Sequence, residues 1–280
     1  MAAKEELRDF LRSRRARLTP ADVGLPVTPG VRRVPGLRRE EIAQLANLSV
    51  DYYMRLEQGR DINVSEDVLK AVADALRLRE DERTHLYDLA RPIQSRRKPR
   101  PQPHRVRPGI LALVQTLPTP AFVVDQRLDV LATNQIARAL LFDFDAHPRP
   151  ERNHARWVFL EPQARERYLD WEEVARDCVA TLRMHAGRHP DDLELAALVG
   201  ELTVKSPEFS RWWADHEVLV RSHGSKRYYH PTIGELTVAY EALPLPDAGD
   251  QILFLYTVEP GSASDQALQL LASWTLTTSA

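Results

Sequence analysis

The chain has 280 residues, 43% of them hydrophobic, with a formal net charge of -2 and one cysteine. That length and apolar content exclude a disordered tail and a disulfide-stapled miniprotein, and make two domains the natural expectation. The near-neutral total hides a division, since residues 1–107 carry 23 Lys+Arg against 16 Asp+Glu and the remainder carries 15 against 24.

A basic module is thus joined to an acidic one. Basic character in a small domain favours a polyanion partner, because each phosphate neutralised releases counterions. A GC-rich genome accounts for 33 Arg against 5 Lys, but not for the segregation of charge. The lone Cys178 fits a reducing compartment. Met1 to Arg17 lacks the apolar run of a signal peptide, and no stretch approaches the ~20 apolar residues of a membrane span. A cytoplasmic protein without membrane contact is expected.

Leu7, Phe10, Leu11 and Leu18 recur at helical spacing and predict a first helix that ends before Thr19 and Pro20. Four prolines between Pro20 and Pro35 make a loop, which carries Arg32 and Arg33. The stretch Arg38 to Arg60 then reads as two short helices and a tight turn. Ile42, Leu45 and Ala46 line one apolar face, Asn47 tolerates the left-handed turn, Ser49 caps the second helix, and Tyr53 and Leu56 face the core. Gly59 closes that helix. Val68, Leu69, Val72, Ala75 and Leu76 predict a fourth helix after Ser65, and Leu86, Leu89 and Ala90 a fifth after Glu80. Five helices with this turn make a compact all-α domain over residues 1–92.

Ala46-Asn47-Leu48-Ser49 followed by Tyr53, Leu56, Glu57 and Gly59 resembles the helix-turn-helix of the XRE-type regulators. The resemblance implies a second helix that enters the major groove of double-stranded DNA, where each base pair shows a distinct donor and acceptor pattern. Carried over position by position, Ser49, Val50, Asp51, Tyr52 and Arg55 face base edges. Arg38 and Arg39 are placed for phosphates, and Arg32, Arg33 and Arg60 are further phosphate or groove candidates. Val50 and Asp51 stand where the family often has Gln or Ser, and Asp51 repels phosphate. Glu57 reads as structural, a partner for an arginine or a helix end. The resemblance also implies a homodimer on inverted half-sites.

Arg91 to Pro108 holds five prolines and seven basic residues with no acid, and reads as an extended linker over residues 93–107. Beyond it the pattern changes. Ile110, Leu111 and Val114 predict a short helix, and Pro120 to Asp125 and Leu128 to Thr133 two strands joined at Asp125-Gln126-Arg127. Asn134 caps a helix. Three more helices follow, on Trp171 to Leu182, on Leu195 to Leu202, and from Ser206 through Trp213. Strands are expected over Glu217 to Arg221, Lys226 to His230, Glu235 to Leu243 and Gln251 to Val258, and a last helix over Ser264 to Trp274.

Two strands, a block of helices and a return to antiparallel strands is the order of a PAS-like α+β domain, in which a curved sheet and its helices enclose one small ligand. The stretches PTPAFVVDQRLDVLATN, DWEEVARDCVATLRMHAGRHPDD, VGELTVKSPEFSRWW and KRYYHPTIGELTVAYEAL resemble the ligand-binding domain of MmyB-like transcription regulators. The resemblance implies a one-component regulator whose residues 108–280 hold a small apolar, fatty-acid-like ligand. Such a ligand needs an apolar tunnel with donors at one end. Asn134, Arg183, His230 and Tyr240 are the candidates for the polar end, and Trp157, Phe159, Trp171 and Trp212 for the wall.

Nothing in the chain has the spacing of a nucleophile elbow, a phosphate-cradling loop or a zinc-protease helix, so no catalytic residue and no cofactor are expected. His185 and His189 have metal-ligand spacing, but Gly187 interrupts them and Pro190 ends the segment, so no metal is expected. Cys178, among Val174 and Leu182, reads as a buried, inert thiol. The competing reading is a regulator controlled by a peptide or protein partner. Against it stand the predicted strands and the lack of a helical repeat.

Overall fold

A computed structural model describes residues 2–26, 36–60, 64–90, 105–219, 221–246 and 250–278. The chain divides into two compact units, the first made of residues 1–98, 183–192 and 213–219, the second of 99–182, 193–212 and 220–280.

The first unit contains α1 (Ala2–Arg17), α2 (Arg39–Leu45), α3 (Val50–Glu57), α4 (Glu66–Ala75) and α5 (Glu80–Ala90). The expected boundaries follow local chemistry. The Ser49 hydroxyl accepts the Tyr52 backbone N–H at 3.1 Å and the Ser65 hydroxyl that of Val68 at 3.4 Å. Asn47 has φ 54° in the α2–α3 turn, and Gly59, at φ 65°, ends α3 in a conformation that costs a side-chain-bearing residue energy. Phe10, Leu11, Ile42, Tyr53, Leu56, Val72 and Leu86 are fully buried in one core, which also takes in Met184 and Val218. Just after Pro20, Ala21–Val23 makes a single 3-10 turn. Arg32, Arg33 and linker residues 93–104 lie outside the described residues.

The second unit is built on a five-stranded antiparallel sheet of β1 (Ala121–Val124), β2 (Val130–Thr133), β3 (His223–His230), β4 (Gly234–Pro244) and β5 (Ile252–Thr257), in the order β2-β1-β5-β4-β3. Asp125 makes the first hairpin, its Oδ1 accepting the N–H groups of Arg127 at 2.9 Å and Asp129 at 3.0 Å. Along β4 the inward residues Leu236, Val238, Tyr240 and Ala242 alternate with exposed ones, as a sheet with one buried face requires. The remaining helices are α6 (Pro108–Thr116), α7 (Gln135–Leu140), α8 (His154–Leu160), α9 (Pro162–Arg167), α10 (Trp171–Arg188), α11 (Leu193–Lys205), α12 (Pro207–Ala214) and α13 (Ala263–Thr278). By compactness, residues 183–188 of α10 and the end of α12 count with the first unit. The architecture is an all-α helix-turn-helix unit and a PAS-like α+β unit.

Two sequence expectations are corrected. Of the strand expected over Glu217 to Arg221, the described residues Glu217 to Leu219 and Arg221 form none, because Val218 is buried in the first unit's core and its carbonyl accepts from Arg79 at 3.2 Å. The stretch between α7 and α10, assigned no element from sequence, folds into α8 and α9, started by an Asn153 cap and by Pro162 at the first helical position. No helix among the described residues is long and apolar enough to cross a membrane.

Candidate functional sites

In the helix-turn-helix, burial decides what α3 can offer. Tyr53, Leu56 and Glu57 are buried, which turns the opposite side outward. Val50 is 42% exposed, Asp51 and Arg55 are exposed, and Tyr52 is half-buried. Arg55 Nη1 lies 3.9 Å from Asp51 Oδ2, one turn earlier, so the pair shares a solvent-facing stripe. Ser49 is occupied as the cap. Arg38 is exposed, and its backbone N–H donates to Glu41 Oε2 at 2.6 Å, fixing the start of α2. Arg39 pairs with the buried carboxylate of Glu57, which Arg15 Nε also engages at 2.8 Å. Its guanidinium therefore ties α2 to α3 while staying 44% exposed. Arg60 is exposed beyond Gly59. Arg38, Val50, Asp51, Arg55 and Arg60 are thus exposed around the buried core, with Tyr52 half-buried.

The second unit's sheet presents an aromatic inner face. Tyr228 and Tyr256 are fully buried with their hydroxyls hydrogen-bonded at 2.8 Å, and Tyr240 pairs directly with Tyr256 across β4 and β5. Phe122 stacks on Phe254 with ring centroids 5.1 Å apart. Tyr168, just past α9, packs on Tyr228 and takes His154 Nε2 at 3.0 Å. Burial, with the charge of Lys226, holds His154 down to about 3, so the ring is neutral. Burial pushes the Cys178 thiol up to about 12, which makes it the inert group its position implied.

The expected wall residues divide. Trp157 packs on Phe142, Phe144 and Tyr168, while Phe159, Trp171 and Trp212 form a second aromatic cluster with centroids 5.9 to 6.2 Å apart. Trp157 and Phe159 also line one groove of about 740 Å³ with Phe142, His147 and Leu160. The polar candidates divide as well. Tyr240 stands at the aromatic face. Asn134 is saturated, accepting from Ala121 and Ala137 N–H and donating to Leu117 and Thr119 carbonyls. His230 Nε2 meets the Ala139 carbonyl at 3.1 Å and its Nδ1 accepts from the Thr232 N–H at 3.2 Å, so both ring nitrogens are engaged. Arg183 is buried in the first unit, where its guanidinium pairs with Glu6, donates to the Trp213 carbonyl and lies 4.0 Å over the Trp213 ring.

A family model described as the MmyB-like transcription regulator ligand binding domain matches residues 106–271, and a helix-turn-helix domain model matches residues 6–86. The chain belongs to the MmyB-like transcription regulators. No individual curated protein matches it. This MmyB-like regulator binds DNA through the first unit and senses a ligand through the second. Both matching families are regulatory domains. Among the described residues no group of three or more His, Cys, Asp or Glu is placed to hold a metal; His185 Nε2 instead meets Asp192 at 3.0 Å.

One member of the aromatic site was missed from sequence. Lys226 shares the parity of Tyr228 and His230 on β3, hence the inward face. That alternation was the available signal. The tyrosines around it come from β4, β5 and the end of α9, which no local pattern joins.

Proposed function

We propose that this regulator acts as a homodimer on a DNA operator, through α3 and its flanking arginines, and that a fatty-acid-like ligand in the second unit controls it. The observation that carries the DNA side is the outward strip of α3. A helix that buries Tyr53, Leu56 and Glu57 and leaves Val50, Asp51, Tyr52 and Arg55 to solvent has the face a major groove accepts. Arg38, Arg39, Arg60, Arg32 and Arg33 supply sequence-independent phosphate contacts. Support for an apolar ligand is the aromatic inner face of the sheet, Tyr240 included, whereas the groove at Trp157 and Phe159 is also lined by Glu151, Arg156, Glu161, Glu201 and Lys205. A single motif makes few base contacts, so two copies are needed for a specific site. A ligand that favours one arrangement of the two motifs changes operator affinity.

The test is fluorescence anisotropy on DNA fragments from upstream of the protein's own gene, over a salt series. Arg38→Ala should weaken binding to all sequences and reduce the salt slope by about one. Arg55→Ala should relax preference for one base pair at a cost of about 1–3 kcal/mol. An unchanged salt slope removes Arg38 from the interface. Sedimentation as a monomer at micromolar concentration, with operator affinity intact, removes the dimer. Peptide capture in place of an acyl chain in organic extracts of the purified protein turns the ligand reading toward a peptide partner.

A further inference from the structure

We propose that Lys226 is the anion-binding residue of the second unit and takes the carboxylate of an amphiphilic ligand whose apolar body lies among the tyrosines of the sheet. The inference rests on the reading of this unit as a small-ligand sensor and adds the group that recognises the ligand's head.

Among the described residues the fully buried arginines are matched by carboxylates. Arg14 faces Glu82, Arg15 faces Glu57, Arg127 faces Asp125, and Arg183 faces Glu6. Like half-buried Arg167 on α9, whose Nη1 is buried without a hydrogen-bond partner, Lys226 lacks such a match. It is half-buried on the inner face of β3, with its Nζ 4.8 Å from the ring centroid of Tyr240 and 5.8 Å from that of Tyr168. Among the described residues no carboxylate lies within ion-pair distance of it. Asp177 on α10 feels its field but is engaged by Arg221 at 3.4 Å. Aromatic faces stabilise an ammonium only weakly compared with a carboxylate, so this charge retains most of its capacity for an anion.

The surroundings keep the charge in place. Burial opposes it, but neighbouring acidic groups, Asp177 among them, offset that and hold the ammonium above the ordinary lysine value. Neutral His154 and the protonated thiol of Cys178 offer no counter-ion. Gly224, one inward position before Lys226, leaves room for Tyr240; a Cβ there would come within 3.0 Å of the Tyr240 ring. The close approach sets the phenol beside the ammonium. The Tyr228 and Tyr256 hydroxyls are committed to each other at 2.8 Å, which leaves the Tyr240 phenol as the one beside the ammonium. One ammonium beside a phenol suits a monoanion on an apolar body.

The experiment uses the full chain and three probes, dodecanoate, dodecanol and an aromatic carboxylate such as naphthoate, followed by calorimetry or tryptophan fluorescence. The wild type should bind dodecanoate about tenfold or more tighter than dodecanol, as a charge-assisted hydrogen bond implies. Lys226→Met should erase that preference by weakening dodecanoate far more than dodecanol, and the dodecanol binding that remains shows that the variant is folded. Lys226→Arg should restore the preference. A Lys226→Met protein that still prefers the carboxylate overturns the proposal. Naphthoate binding that needs Lys226, without dodecanoate binding, keeps the anion site and removes the fatty chain. A wild type that binds none of the three removes the small-apolar-ligand reading and this proposal together.

Discussion

Glu57 shows how much one side chain can hold. It is 1% exposed and receives Arg15 Nε at 2.8 Å, while Arg39 closes on its other oxygen from α2. Arg15 also donates to the Leu37 carbonyl at 2.7 Å, so the carboxylate fixes α1, the entry to α2 and α3 at once. A buried charge left without its partner is costly, and Glu57→Ala should destabilise the first unit by about 3–5 kcal/mol in urea unfolding. Arg39, 44% exposed, stands in a screened environment, and Arg39→Ala should cost about 1 kcal/mol or less. A loss of DNA affinity in Arg39→Ala without loss of fold would therefore report on phosphate contact, whereas an Arg39→Ala protein destabilised as much as Glu57→Ala would show Arg39 to be a structural prop.

Asn134 works at the scale of elements. Its side chain accepts from Ala137 at the start of α7 and from Ala121 at the start of β1, and donates to Leu117 and Thr119 in the α6–β1 connection. With every donor and acceptor engaged, it is a fastener of α7 to the sheet. Asn134→Ala should cost about 2–3 kcal/mol of stability through a lost cap and orphaned buried groups, with ligand affinity preserved in the folded fraction. Selective loss of ligand affinity at unchanged melting temperature would return Asn134 to the binding site. The helix-turn-helix and the Asn134 cap were legible because they are written within one or two turns of chain, in caps and apolar periodicity. Arg183 was not, since its partner Glu6 lies 177 positions away and charge alone does not announce a partner. Glu217 to Arg221 has the alternation of a strand, but Val218 is spent on a helical core. Local pattern specifies elements, and distant packing decides which side chains remain for a ligand.

For the molecule as a whole, acid should act differently on the stability of the two units. In the first, burial holds His85 down to about 3, and its two ring nitrogens have no hydrogen-bond partner among the described residues. Unfolded, that histidine takes a proton near 6.5, so the unfolded chain binds more protons and stability is lost as pH falls from 6.5 toward 3. Glu6 adds the same sign lower down: burial opposes its charge, but His216 and Arg183 bring it to about 2, and its contribution is lost as pH falls from 4.5 through 2. In the second unit the shifts oppose one another. His154 and His230 are lowered by burial and weaken the fold in acid, whereas burial raises Asp177 and brings Asp125 up to about 6, so that both gain protons in the native state and strengthen it. Between about pH 4.5 and 6.5 the cited groups of the first unit all weaken it in acid, whereas those of the second pull in opposite directions. Hydrogen exchange at pH 5 should show α1 and α5 opening well before β4 and β5, and His85→Leu should flatten the first unit's dependence on pH. Earlier opening of the sheet would place the acid-sensitive charge in the ligand unit instead, where protonation would act on sensing before it acts on DNA binding.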